Sequence, residues 1–328
     1  MPERVRVGMI GCGGIARGHV KRLLQVPEAE IVALNDTSEA SIARVKEEIP
    51  EVRDLPVYKD YREMLDKVGL DAVEIATPHT CHFEQATDAV NRGLHALIEK
   101  PMVCSVGHAK KLIENAKAKD RVIVISYQRH YQPQFRYMRQ TVQDGKIGKV
   151  SYVSALQCQG WKRGTAGSWR QVPELSGGGQ LNDSGSHLID IILWTTGLAV
   201  DEVFGYIDNL STPVDINSAL SMKFKNGAQG TVSVVGDAPC WYEDFTIWGE
   251  EGVLFYRNGQ LQQCNANGEM AEPENMPEGS DPDRNLIDAI LGRDVVWAPP
   301  VCGLRVIELT EAAWKSAKLG KAVPVASL

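Results

Sequence analysis

The chain has 328 residues, 43% hydrophobic and 23% charged, with 35 Lys and Arg against 42 Asp and Glu for a formal net charge of −7. That balance excludes a disordered, collagen-like or coiled-coil chain, and the length suits two domains with cores of their own. A mildly acidic protein has no general attraction to nucleic acid or anionic membrane, so the expected partner is a small molecule. The seven cysteines include no Cys-x-x-Cys pair and no histidine at zinc-finger spacing, the usage of a reduced, intracellular protein. No metal site is expected. The glycine-rich start VGMIGCGGIA, soon interrupted by Arg17, is not a signal-peptide core, and no stretch nears the ~18 apolar residues of a membrane helix. A cytoplasmic location is expected.

From residue 5 onward, apolar runs at Val5–Ile10, Ile31–Leu34, Ala72–Ala76, Ala96–Ile98 and Val122–Ile125 alternate with helical spacing at Ala16–Gln25, Ser38–Glu48, Cys81–Arg92 and Ser105–Lys119. Strands that are apolar throughout and separated by helices predict a parallel sheet covered on both faces. Beyond Ser126 the texture changes. Gln134–Asp144 predicts a helix closed by Gly145, and strand-like runs follow at Ser151–Gln159, Val203–Ile207, Leu220–Phe224, Thr231–Val235, Phe245–Trp248 and Val253–Tyr256. Asn226-Gly227 and Asn258-Gly259 predict tight hairpins with positive φ at both turn positions. One helix is expected to start near Asp183 and another to cover Leu304–Lys318, while Asn265–Asp283 reads as a surface loop. The expected order is an α/β domain over residues 1–125 and an α+β domain over 126–328.

The first strand runs into Gly11-Cys12-Gly13-Gly14-Ile15-Ala16, a G-x-G-x-x-A pattern at a strand-to-helix turn. Gly11 permits the turn, Gly13 lets backbone approach a pyrophosphate, and Ala16 lets the helix pack on the sheet. The helix start, with Gly14 and Ile15, offers N–H groups to the anion. Asp36 lies 20 residues beyond Ala16, where a carboxylate accepts from an adenosine ribose. It repels a 2′-phosphate, and Thr37 and Ser38 bring no cation, so NAD is favoured; Arg44 leaves NADP open.

Further motifs follow in order: Ala76-Thr77-Pro78 with His82, Gly93-Leu94-His95 before Glu99-Lys100-Pro101, Tyr127–Arg129, Gly145–Gly148, and Gly177-Gly178-Gly179-Gln180-Leu181-Asn182-Asp183-Ser184-Gly185-Ser186-His187-Leu188-Ile189-Asp190. Through these the sequence resembles the Gfo/Idh/MocA family of glucose-fructose oxidoreductase and inositol dehydrogenase relatives. The resemblance implies a Rossmann domain followed by an α+β domain with a large open, mainly antiparallel sheet, often the interface of a homodimer or homotetramer. It implies hydride transfer between a nicotinamide and a sugar, sugar acid or cyclic polyol, with Thr77, Pro78, His82, Glu99 and Lys100 on the cofactor side. It also implies a cis Lys100–Pro101 bond.

Oxidising a secondary alcohol removes a hydride and a proton, so the protein must take the proton. His187 is the natural carrier, and Asp183, four residues earlier, shares its face if both lie on one helix. Asp190 reaches the same side, and the Lys100 ammonium, at a strand's carboxyl end, can stabilise a developing oxyanion. The resemblance implies that Lys100, Asp183 and His187 form the catalytic group, with Asp190 touching substrate and Arg129 on the substrate side. Trp161, with Trp169-Arg170, sketches a substrate wall. Two other readings stand beside the dehydrogenase: a glycosidase that uses bound NAD transiently, and a dinucleotide-binding regulator without turnover.

Overall fold

The computed structural model describes residues 4–325. The chain divides into two compact units. The first takes residues up to Val103, Gly107–Gln128 and Ser280–Val301; the second takes Cys104–Val106, Arg129–Gly279 and Cys302 onward. The division thus falls just past the expected residue 125, and residues 280–301, expected in the second domain, return to the first.

In the first unit β1 (Val5–Ile10), β2 (Ala29–Asn35), β3 (Val57–Tyr58), β4 (Ala72–Ile75), β5 (His95–Ile98) and β6 (Ile123–Ile125) form one sheet in the order β3-β2-β1-β4-β5-β6, every pair parallel. The helices α1 (Gly14–Leu23), α2 (Glu39–Glu48), α3 (Tyr61–Lys67), α4 (His82–Asn91) and α5 (Val106–Ala118) separate the strands. Val5, Val7 and Met9 of β1 face a core shared with Val20 and Leu23 of α1 and Val45 of α2. A Cβ on Gly8, facing the other way, would lie 3.1 Å from Met64 of α3. Apolar residues on both strand faces therefore find helices on both sides, which is why these strands do not alternate. The same core contains Leu286 and Ile287 of the returning helix Pro282–Ile290, whose first two residues end the expected surface loop Asn265–Asp283. Neither β3, two residues long, nor α3 was expected; Val57 is exposed and leaves no apolar run to read.

The second unit contains α6 (Pro133–Gln143), the short helices α7 (Trp161–Gly164) and α8 (Pro173–Ser176), α9 (Gly185–Thr196) and most of α11 (Pro300–Leu319), α10 being the returning helix above. Its sheet has nine strands: β7 (Val150–Cys158), β8 (Val200–Asp208), β9 (Asn217–Phe224), β10 (Gln229–Val235), β11 (Tyr242–Gly249), β12 (Gly252–Arg257), β13 (Gln260–Asn265), β14 (Met270–Ala271) and β15 (Val323–Pro324). Their order is β14-β13-β12-β11-β7-β10-β9-β8-β15, and β7 with β10 is the one parallel pair among them. This is the open, mainly antiparallel sheet the resemblance implies. The β12–β13 hairpin turns at Asn258 and Gly259, both with positive φ, as expected. At Asn226-Gly227 only Gly227 is positive, with its N–H on Phe224 O, because the loop closes one residue later than a two-residue turn would.

One face of this sheet is packed: Val153, Val203, Phe245 and Leu254 are buried, and a Cβ on Gly205 would approach Ala313 of α11. The residues between them point the other way. Tyr206 is 71% exposed and Trp248 42%, with Phe204 against Tyr206 and Phe255 against Trp248 as edge-on pairs.

Candidate active site

The glycine turn after β1 is shaped by close approach. Gly11 has φ +90°, and a Cβ there would sit 2.7 Å from the Ala76 carbonyl oxygen. Above Gly13 and Gly14 a Cβ would meet nothing within 4 Å, so this space is open. Gly13 caps α1 without a side-chain bond, and no acid lies in the first turn. Ile15 is partly exposed beside it, and Ala16 is buried against the sheet. A helix start with bare glycine backbone and no competing carboxylate suits a pyrophosphate. Asp36, at the end of β2, accepts from the N–H groups of Cys12 at 2.7 Å and Ser38 at 2.8 Å. The Asp36 carboxylate is therefore fixed to the glycine turn itself. These residues fit a dinucleotide.

Thr77 donates its hydroxyl to Gln85 at 2.6 Å. His82 differs from expectation. It is wholly buried, with its ring nitrogens 3.0 Å from Thr77 O and 2.9 Å from Pro101 O, and burial lowers its pKa. It ties the segment after β4 to the segment after β5 and presents no nitrogen to a cofactor. Glu99 also points inward. Its Oε1 lies 2.9 Å from His19 Nε2, and its Oε2 accepts the Lys100 backbone N–H at 3.1 Å. Burial would raise this carboxyl, but the His19 bond and charge and the Lys100 ammonium bring it down to about 2. Lys100 itself is half-buried, and its bond to Pro101 is cis, as the resemblance implies.

Behind Glu99 lies a buried charge network. His19 Nδ1 is 2.8 Å from Asp283 Oδ1, and Arg22 Nε is 2.5 Å from Asp283 Oδ2. Glu74 is fully buried, its Oε2 3.6 Å from His19 Nδ1. Burial first, and the Asp283 charge second, push the Glu74 carboxyl well above its ordinary range, so folding favours its protonated form. A folded protein that must take up this proton loses stability as pH rises above the unfolded carboxyl value. Glu74→Gln, neutral at every pH, is expected to raise Tm by a few degrees near pH 8 and hardly at all near pH 4.5, measured by thermal melts. Equal shifts at both pH values would sink this account.

In the second unit, glycines again mark close packing. A Cβ on Gly179 would lie 2.1 Å from Asp215 O, and one on Gly178 would enter the Trp314 ring. Asp215 accepts from Gly179 N at 3.0 Å, Leu181 N at 2.7 Å and Trp314 Nε1 at 3.1 Å, pinning the loop that carries Asp183. Burial raises the Asp215 pKa despite these bonds. Asp183 stands in the turn before α9 and not on the helix, so its approach to His187 is not set by helical spacing. Its Oδ2 accepts from Trp161 Nε1 and from Arg170 Nε, each at 2.9 Å. Among the twelve residues of α9, His187 alone is not buried.

Three expected substrate contacts are used elsewhere. Trp161 is buried with Val214 and Ile216, so it holds Asp183 and does not form an open stacking wall. Asp190 is buried 2.7 Å from His130 Nε2, and His130 stacks on Trp194 at 4.1 Å. Arg129 pairs with buried Glu243. In each case the polar group is desolvated and needs the partner it has. Lys100 lies in the first unit, Asp183 and His187 in the second.

Among the described residues, two groups could bring three ligand atoms within 4.8 Å: His19, Glu74 and Asp283, and His130, Asp190 and Cys302. In both, the histidine already bonds a carboxylate, and an arginine charge acts on each, Arg22 on the first and Arg139 on the second. Among the described residues no helix is long and apolar enough to cross a membrane.

A parallel sheet in this strand order, with an open glycine cradle after its first strand and a carboxylate at the end of its second, is the arrangement of a dinucleotide-binding domain. Residues 5–127 match the oxidoreductase family with NAD-binding Rossmann fold, and residues 135–255 match the GFO/IDH/MocA C-terminal domain. The chain belongs to the Gfo/Idh/MocA family and is an NAD-dependent dehydrogenase. It is 25% identical to myo-inositol 2-dehydrogenase of Thermotoga maritima over 261 residues, 77% of this chain and 75% of that one. It is 27% identical to scyllo-inositol 2-dehydrogenase (NAD(+)) of Bacillus subtilis over 266 residues, 78% and 74% of the two chains. The fold is shared with the WlbA dehydrogenase of Bordetella pertussis, solved with NADH and UDP-GlcNAcA, at TM-score 0.86 and 22% identity over 100% of this chain and 99% of that one.

Proposed function

We propose that this dehydrogenase interconverts a secondary alcohol and a ketone on a sugar, sugar acid or cyclic polyol, with Lys100, Asp183 and His187 as its catalytic group. The observation that carries the reading is His187, the one residue of α9 that is not buried, four residues after an Asp183 carboxylate anchored by two donors. NAD, when bound, supplies the hydride acceptor. His187 takes the hydroxyl proton, and Asp183 orients the imidazole and stabilises its charged form. Lys100 stabilises negative charge on the substrate oxygen. The names of the inositol relatives favour cyclic polyols first. A screen of polyols, aldoses, sugar acids and sugar phosphates with NAD and NADP, read at the reduced-nicotinamide absorbance, tests this. Release of product from aryl glycosides without net NADH would favour the glycosidase reading instead.

The aromatic outer face of the nine-stranded sheet supports a homodimer or homotetramer formed by pairing that face. In light scattering, Tyr206→Glu with Trp248→Glu is expected to give monomers, and an unchanged mass would exclude this face.

A further inference from the structure

Both ring nitrogens of His19 face carboxylates, Nε2 toward Glu99 at 2.9 Å and Nδ1 toward Asp283 at 2.8 Å. Only a doubly protonated ring can donate to both. We propose that His19 is a positioning residue for Lys100: as a buried imidazolium it clamps Glu99, whose other oxygen holds the Lys100 backbone N–H, and Asp283 on the returning segment keeps it charged. This rests on the reading of Lys100 as catalytic.

The surroundings agree. The charged and titratable groups around His19 come from every neighbouring element: Arg22 on α1, Glu74 on β4, Glu99 and Lys100 after β5, and Asp281 and Asp283 at the start of α10. His19 and Arg22 together meet the two carboxylates Glu99 and Asp283, with Glu74 buried beside them. Burial pulls the His19 pKa down, but Asp283 above all, then Glu99, outweigh it and hold it well above the ordinary value. A buried ion pair stripped of one member leaves an uncompensated charge, so each partner depends on the others. His19 is wholly buried and follows the glycine turn on the same helix. The cofactor cradle and the lysine are thus linked through one imidazole. A shift of about 1 Å in a reacting group can cost on the order of 100-fold in rate.

The test uses the full chain labelled with ¹⁵N-histidine, with His19 assigned by loss of its signal in His19→Gln. In the wild type, His19 is expected to keep both ring protons at neutral pH and above; in Asp283→Asn it is expected to lose one as pH rises through ~7. In kinetics, Asp283→Asn is expected to lower kcat by ~10- to 100-fold with NAD affinity within about 2-fold. It should also gain a decline in kcat with rising pH that the wild type lacks, which a merely structural loss would not produce. A singly protonated His19 in the wild type at neutral pH overturns the proposal, and so does an Asp283→Asn variant with wild-type kcat and pH profile. Lys100→Met separates the two claims. Normal turnover in that variant removes the lysine reading, while the ring protonation is read independently of any activity.

Discussion

Lys100→Ala and His187→Ala are each expected to lower kcat by ~10²–10⁴ while NAD still binds. Gly11, Gly13 and Asp36 are held by Ala76, the α1 start and the Cys12 N–H, and neither substitution removes any of these. Loss of the ammonium removes stabilisation of the substrate oxyanion, and loss of the imidazole removes the proton acceptor. Because both act on the same step, the double variant should lose less than the product of the two single effects. Asp183→Asn belongs to the same series. It keeps an oxygen for Trp161 or Arg170 but no charge to stabilise a protonated His187, so its KM should move less than its kcat. NAD titration beside steady-state kinetics reads these outcomes. Near-normal turnover in both alanine variants would remove the proposed catalytic group.

The second large effect is expected at Asp36. Hydrogen bonds to a charged group contribute about 1.5–3 kcal/mol, so Asp36→Asn should weaken NAD by roughly 10- to 100-fold. Some of that loss comes from the glycine turn, since the same carboxylate accepts from Cys12 and Ser38. The ratio of the two cofactors separates the causes. Asp36→Ser with Thr37→Arg removes the charge that repels a 2′-phosphate and adds one that attracts it. The preference for NAD over NADP should then invert, measured as kcat/KM with each cofactor. A variant weakened equally toward both would show that Asp36 serves the turn alone.

Sequence patterns carry unequal amounts of this structure. Strands β1, β4 and β5 are legible because burial on both faces forces continuous apolar runs, and the glycine turn is legible because one helix dipole and one tight bend need particular residues close together. Asp36 is legible by its fixed distance from that turn. The His19 network is not, because His19 bonds partners 80 and 264 residues away, and no local spacing records such a contact. Asp215 escapes for the same reason: it reads as an ordinary acid before a strand, and only the backbone pressed against Gly179 shows what it anchors. Asp190 and Arg129 lie on motifs that resemble the family's and Trp161 stands out by its aromatic chemistry alone, yet neither signal gives a side-chain direction, and here all three meet partners within the second unit.

The returning segment, residues 280–301, bears on how the molecule is made. Leu286 and Ile287 fill the core beside Leu97 and Val124, and Ala298 accepts the N–H of Ile125. A nascent chain that has left the ribosome only as far as Gln128 therefore holds every strand of its first sheet but lacks the helix that covers β5 and β6. Completion of the nucleotide half waits for translation of the sheet domain inserted within it. Synthesis order and folding order diverge, and no single cut in the gene yields two self-sufficient pieces.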